Sequence, residues 1–413
     1  MDEHRSQAVA QVQSVLAKLS LCRTAALGGR VHECPRCQHR CHVYNSCIDR
    51  HCPQCGGGRR AEWLDKTAVL LLPKIDYFQV VFTLPEELSA VMLGNRRATY
   101  RLLFHAAWAA LREVMRAELG CEPAALMVLH TWSQRLEHHP HIHALVPGGG
   151  PSLDGRSWVR SRHPYQPRRR KPYLVDNRLL SARFRDQFVA GVKRLQRAGK
   201  LKLEGEWSSL KEPTAFAAWV KTFSDCDWSV FIEPPPTENA RPEQVLKYLA
   251  RYLTGGPISD RRLIEHQEGE VTFWVRGKDK SKGNPPEPYT LPGVEFTRRW
   301  SLHILPKGFV KSRCFGGYSC RKREAYLDCC GELLQLEHPA SEPPETPGEE
   351  PGEERESCVA CPRCQATMEC ISHVERPSWN AILNGSDRPR WYNPFRRART
   401  RCSRHRYREP PDG

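Results

Sequence analysis

The chain lacks an apolar run long enough to cross a bilayer. Nowhere do 18 hydrophobic residues follow one another, so no membrane-spanning helix is expected. The opening residues Met1-Asp-Glu-His-Arg-Ser-Gln7 are polar and lack the apolar core of a signal peptide, which makes a cytoplasmic protein the expectation. No repeat of fixed period is present. Negative charge is in short supply: 47 Asp and Glu face 63 Lys and Arg, for a net charge of +16. That balance favours a polyanionic partner, nucleic acid before an anionic membrane. Disulfides are not expected in a cytoplasmic chain, so its 18 cysteines point to metal binding instead. With 413 residues there is room for two or three domains with real cores.

What is present is organised around His139-Pro-His141-Ile-His143. On a strand, residues two apart share a face, so His141 and His143 point together and Ile142 points into a core. Two imidazoles on one face make half of a divalent-metal site. Ala125–Trp132 reads as a preceding strand. Folded as a hairpin through the polar residues 133–140, it brings His130 opposite His141 as a third ligand, with Gln134 and His139 as competitors. Asp76–Leu84 reads as a buried strand ended by Pro85, residues 96–118 and 180–198 as amphipathic helices, and residues 228–232, 271–276 and 309–311 as further strands.

Upstream, Cys34-Pro-Arg-Cys37 and Cys52-Pro-Gln-Cys55 are two C-x-x-C knuckles at a separation suited to one tetrahedral Zn²⁺. Between them lie Cys41, Cys47, His39, His42 and His51, any of which could replace a named ligand or join a second site. Arg40, Arg50, Arg59, Arg60 and Tyr44 give this module a basic and aromatic character suited to DNA contact. A short amphipathic helix over residues 7–21 precedes it.

Downstream, Arg168-Arg169-Arg170-Lys171 flanked by tyrosines reads as a loop along a phosphate backbone. Pro242 opens a helix in which Tyr248 and Tyr252, four apart, lie on one face, with Lys247 and Arg251 beside them. Residues 321–336 read as a final helix and 337–356 as an acidic, proline-rich linker. Cys361-Pro-Arg-Cys364 is a third knuckle that Cys358, Cys370 and His373 could complete. The Arg-rich end from Arg388 to Arg408 reads as a DNA-binding tail. Together these residues suit a metal-assisted enzyme that nicks and joins DNA.

Strand Phe82-Thr-Leu-Pro85, the H-x-H strand and the Y-x-x-x-Y helix, in that order, resemble the HUH nucleases, a superfamily of rolling-circle replication initiators, relaxases and transposases. The run from Cys41 to Cys55 is similar to the zinc-binding domain of rolling-circle transposases of the insertion sequence 91 group. So are His130-Thr-Trp132, His139–His143, Tyr248–Tyr252 and His303-Ile-Leu-Pro-Lys-Gly-Phe309. The resemblance spans residues 10 to 330 or so. It implies an α+β fold with a central antiparallel sheet flanked by helices. It also implies Mg²⁺ or Mn²⁺ on His141 and His143, and Tyr248 and Tyr252 as nucleophiles. Zinc would sit on Cys34, Cys37, Cys52 and Cys55, with Cys47 a contender. The expected division is a zinc module over 1–65, a catalytic domain over 70–330, the linker 337–356 and a basic, cysteine-containing tail over 357–413. The implied partners are the single-stranded ends of a mobile element and its target DNA, on the bacterial nucleoid and away from membranes. The competing expectations are a replication initiator or relaxase, and a zinc DNA-binding regulator without catalysis.

Overall fold

The computed structural model describes residues 3–55, 63, 66–73, 75–161, 174–233, 235, 256–277, 283, 285–335 and 359–384. The chain divides into two compact units, one of residues 1–55 with 349–413 and one of residues 56–348. Among the described residues, no helix is long and apolar enough to cross a membrane.

The smaller unit starts with α1 (Glu3–Ser20). A hairpin of β1 (Gly29–Glu33) and β2 (Arg40–Tyr44) follows. From the other end of the chain, β13 (Glu369–Val374) pairs antiparallel with β1, giving the order β13-β1-β2. A short helix, α8 (Trp379–Asn384), follows it. Residues expected to form a separate C-terminal tail therefore belong to the same unit as the N-terminal knuckles. The acidic linker and the Arg-rich end lie outside the described residues.

The larger unit is built on β3 (Tyr77–Thr83), β4 (Ala124–Trp132), β5 (His138–Pro147), β8 (Val230–Glu233) and β12 (Ser312–Gly316). They form one antiparallel sheet in the order β12-β4-β5-β3-β8. Helices α2 (Ser89–Gly94) and α3 (Arg96–Glu118) follow β3. The small hairpin of β6 (Gly149–Pro151) and β7 (Trp158–Arg160) follows β5. Helices α4 (Asn177–Arg197) and α5 (Pro213–Ser224) precede β8. The two-residue period of β5 divides its side chains between faces. Ile142, Ala144 and Val146 join Phe78, Val80 and Phe82 in the main core beneath α3 and α4. Phe82 meets Phe184 of α4 edge-on at 5.1 Å. The two helices approach closely because α4 carries Gly191, where a Cβ would strike Leu102 of α3. Asp176 caps α4, its carboxylate accepting from the Leu179 N–H at 2.7 Å.

On the opposite face, Leu126, Val128 and Leu145 pack with Leu70, Leu71, Leu72 and Ile75. Tyr326 and Cys330 of the helix α7 (Arg323–Leu333) complete this second core. It covers one half of the face, and His141 and His143, also on this face, carry the strand beyond it.

A second antiparallel sheet has the order β11-β10-β9, from β9 (Leu263–Gln267), β10 (Glu270–Arg276) and β11 (Pro286–Pro292). With α6 (Gly293–Ser301), it grips the turn between β4 and β5. Arg262 donates to the Gln134 carbonyl at 2.5 Å and Arg299 to the Arg135 carbonyl at 3.2 Å. The expected strand over 309–311 is displaced, since β12 starts at Ser312. Phe309 turns instead into the core against Tyr100, ring centroids 5.8 Å apart.

Candidate active site and metal centres

The hairpin of β4 and β5 places His130 directly opposite His141 and Val128 opposite His143. Same-face geometry along β5 then brings three imidazoles into one cluster. The ligand nitrogens of His130, His141 and His143 all lie within 4.8 Å of one another. The rings of His130 and His143 are 4.4 Å apart, those of His141 and His143 5.0 Å.

The surroundings set which nitrogen is offered. His141 Nδ1 donates to the His139 carbonyl at 2.7 Å, so Nε2 carries the free lone pair. His143 Nδ1 lies 2.9 Å from the Gln79 side-chain amide. Gln79 Oε1 is otherwise buried without a hydrogen-bond partner. With the amide turned so that Oε1 faces the ring, it accepts from Nδ1–H and His143 also presents Nε2. Metal-ligating histidines are commonly held this way, the second nitrogen donating to a protein oxygen. His130 stacks on Trp132 at 4.6 Å, and the Lys311 ammonium lies 5.0 Å over the other part of the same arrangement, above the Trp132 ring. Burial, with the neighbouring His143, pulls the His141 pKa down to about 3. Burial and the Lys311 charge pull His143 down to about 4. Both are neutral at physiological pH, the form that binds a metal.

His139 does not join the cluster of ligand nitrogens and contributes its carbonyl instead; Gln134 lies in the turn, where its backbone carbonyl accepts from Arg262. His138 faces away, between Ser89 and Tyr100 at 2.7 and 2.8 Å. His303 braces the turn. Its Nε2 donates to the Leu136 carbonyl at 3.0 Å and its Nδ1 accepts from the Thr131 hydroxyl at 3.2 Å. Gln79 was not singled out by the sequence, and Lys311 appeared there only as the end of the strand expected over 309–311. The available signal for Gln79 is its place as the amide in an otherwise aromatic and β-branched strand. Tyr248, Tyr252, Lys247, Arg251, Arg168, Arg169 and Arg170 lie outside the described residues. Arg50 is exposed in the knuckle region.

His138 and His303 yield a test of this packing. Burial lowers their pKa values to about 3 and about 4, against 6.5 for an unfolded histidine. The unfolded chain therefore binds more protons below pH 6.5. Their contribution to stability is complete above that pH and is lost as the pH falls toward 4. Calorimetry should show the melting temperature of the larger unit falling steadily from pH 6.5 to 4.5. It should fall less steeply in His303→Gln, which keeps a donor and cannot titrate.

Among the described residues, eight of the cysteines form two clusters. Cys22, Cys47, Cys52 and Cys55 make one, and Cys34, Cys37, Cys361 and Cys364 the other, the sulfurs of each lying within 4.8 Å of one another. The single group of Cys34, Cys37, Cys52 and Cys55 expected from spacing is thus divided between two places, because the first knuckle is the turn joining β1 to β2 and the second follows the far end of β2. Cys47, the contender, stands with Cys52 and Cys55. Cys22, just after α1, completes that group. Sulfur separations of 3.5 Å join Cys47 to Cys55 and Cys52 to Cys22. Four thiolates around a Zn²⁺ with bonds of about 2.3 Å stand about 3.8 Å apart, so the donor set and spacing fit the ion. The Cys47 N–H donates to Cys22 Sγ and the Asp49 N–H to Cys47 Sγ, both at 3.4 Å, which stabilises anionic sulfur. Thiol hydrogen bonds from Cys47 and Cys52 pull the Cys22 pKa down to about 4. The apolar residues packed here are few, chiefly Leu21, Leu27 and Ile382, so metal would supply much of the folding energy.

Comparison with known proteins bears on these sites. The family model described as "Transposase zinc-binding domain" matches residues 2–84. The model described as "Putative transposase" matches residues 124–325, which include the histidine cluster. A relative from Sinorhizobium fredii (strain NBRC 101917 / NGR234), "Putative transposase y4qJ", is 39% identical over 388 residues, covering 91% of this chain and 93% of the relative. The "Transposase for insertion sequence element IS801" of Pseudomonas savastanoi pv. phaseolicola is 28% identical over 339 residues, covering 81% of this chain and 76% of its own. No solved structure matches. The chain belongs to the insertion sequence 91 family of transposases, with a zinc-binding domain at its N-terminal end and DNA as the partner on which transposases act.

Proposed function

We propose that this transposase is an HUH-type enzyme that nicks and joins single-stranded DNA through a 5′-phosphotyrosine. The observation that carries the reading is the convergence of His130, His141 and His143 on the sheet face beyond its second hydrophobic core. His141 is held so that Nε2 is offered, and the Gln79 amide, turned with Oε1 to the ring, would hold His143 the same way. Three neutral imidazoles are a donor set for a divalent cation. Mg²⁺ or Mn²⁺ held there would supply Lewis-acid polarisation of the scissile phosphate.

The remaining chemistry belongs to the chain. The Oη of Tyr248 or Tyr252 attacks phosphorus in line. The P–O3′ bond breaks, and the 3′ oxygen leaves and takes up a proton. The phosphodiester energy is kept in the tyrosyl link, so rejoining to a 3′-hydroxyl needs no nucleotide cofactor. A free tyrosine has a pKa of about 10, and the charges of Lys247 and Arg251, one turn apart in sequence, favour the phenolate and the charged transition state. Lys311 sets a further positive charge beside the histidines, where an anionic backbone is attracted. Two tyrosines allow one DNA end to stay attached while the other is cut, as strand transfer requires. Arg168, Arg169, Arg170 and Arg50 are assigned to backbone contact.

The test is a denaturing gel of labelled single-stranded oligonucleotides from the ends of the element, incubated with the full chain and Mn²⁺ or EDTA. A slow-migrating covalent species with Mn²⁺ alone is expected. Cleavage of duplex only, or equal cleavage in EDTA, would refute the reading.

A further inference from the structure

We propose that the two ends of the chain share a second zinc ion, held by Cys34 and Cys37 from the first knuckle and Cys361 and Cys364 from the last. The pairs are more than three hundred residues apart, yet Cys34 and Cys364 sulfurs are 3.5 Å apart and those of Cys37 and Cys361 also 3.5 Å. The Cys37–Cys364 separation is 3.7 Å. These are the edges of a tetrahedron of thiolates about one Zn²⁺, and far beyond the roughly 2.05 Å of a disulfide.

The two knuckles are the same device used twice. Each is the pentapeptide Cys-Pro-Arg-Cys-Gln, at 34–38 and 361–365. In each the glutamine N–H donates to the carbonyl of the first cysteine at 2.8 Å. In each that glutamine takes a left-handed backbone, φ +55° at Gln38 and +61° at Gln365. The first cysteine of each then donates back across the turn, Cys34 N–H to the His39 carbonyl and Cys361 N–H to the Ala366 carbonyl. Cys34 and Cys361 are fully buried, with Met368 packed beside them. One knuckle therefore supplies half of a closed structural site, and the other half arrives from the far end of the sequence.

The rest of the C-terminal segment is shaped for the same closure. β13 lies along β1 from Gly29↔Val374 to Glu33↔Glu369. Gly28, at φ +67°, leaves room for it, since a Cβ there would stand 2.5 Å from the Val374 carbonyl oxygen. The Arg376 guanidinium donates to the Cys47 carbonyl at 3.4 Å, and Lys18 of α1 lies 5.5 Å over the Trp379 ring. The residues that sequence reading offered as partners for the third knuckle are placed elsewhere. Cys370 sits in β13, His373 is exposed opposite Arg30, and Cys358 is outside the described residues. The ion thus makes the N-terminal module depend on the last stretch of the chain.

Metal analysis of the purified full-length protein tests this. The wild type should hold two zinc ions per chain. C34S/C37S and C361S/C364S should each hold one, and the quadruple variant should also hold one, because both pairs serve the same ion. Two ions retained in C361S/C364S, one ion in the wild type, or loss of both ions in the quadruple variant would overturn the proposal. Cobalt substitution covers the case in which serine variants fail to fold. C37H and C361H keep a four-ligand site, and each should lower the thiolate-to-cobalt absorption by one ligand of eight. An unchanged spectrum in C361H would contradict the shared site.

Discussion

His141→Ala and His143→Ala should each reduce metal-dependent cleavage of single-stranded DNA by about a thousand-fold, equivalent to about 4 kcal/mol of transition-state stabilisation. Each substitution removes one of three imidazole donors whose ligand nitrogens lie within 4.8 Å of one another. The two remaining donors leave the ion weakly held. Gln79→Leu should be milder. It keeps the donors but removes the amide that orients His143 at 2.9 Å, a loss worth about 10- to 100-fold in metal affinity. Raising Mn²⁺ should therefore restore Gln79→Leu almost fully and His143→Ala far less. Titration of cleavage against Mn²⁺, with circular dichroism as the check on folding, separates the two. Equal loss in both variants at every Mn²⁺ concentration would mean that these residues only hold the sheet together.

The second large effect concerns the tyrosines. Tyr248→Phe/Tyr252→Phe should abolish covalent DNA capture altogether, because phenylalanine differs only by the attacking oxygen and no other group is assigned that role. Each single variant should still form an adduct through the tyrosine it keeps. It should fail in transfer, which needs one attached end held while a second is cut. Binding of single-stranded DNA should be unchanged in all three, since the ring and its flanking Lys247 and Arg251 remain. Adduct in the double variant would refute the assignment of the nucleophile. Full transfer by either single variant would refute the need for two.

The histidine cluster was legible because its logic is local. The two-residue period of a strand puts His141 and His143 on one face, and a short polar turn fixes His130 against His141. The helices over Arg96–Glu118 and Asn177–Arg197 were legible for the same reason, a sustained apolar stripe at helical spacing. Gln79 was not, because its meaning depends on β3 pairing beside β5, a contact across 64 residues. Lys311 was visible as a basic residue after Phe309, but its position at Trp132 was not, since only the placement of β12 beside β4 carries it there. The cysteines are the sharpest case. Spacing along the chain groups Cys34 and Cys37 with Cys52 and Cys55, whereas the pairing of β13 with β1 brings Cys361 and Cys364 to the first knuckle. That contact spans most of the sequence and leaves no periodic signal. Its trace is the repeated pentapeptide Cys-Pro-Arg-Cys-Gln, which says the knuckles are alike and not that they meet. The strands Leu263–Gln267 and Pro286–Pro292 escaped for a simpler reason: both are largely exposed, so no apolar alternation marks them.

The residue to which DNA becomes joined decides whether the tyrosines are the nucleophiles. Full-length transposase would be incubated with a single-stranded end of the element and Mn²⁺, digested with protease and nuclease, and the nucleotide-bearing peptide sequenced by mass spectrometry. A 5′-linked nucleotide is expected on Tyr248 or Tyr252, absent when Mn²⁺ is withheld and absent in His141→Ala. A nucleotide on a serine or on any other tyrosine, or cleavage products with no protein attached, would contradict the assignment.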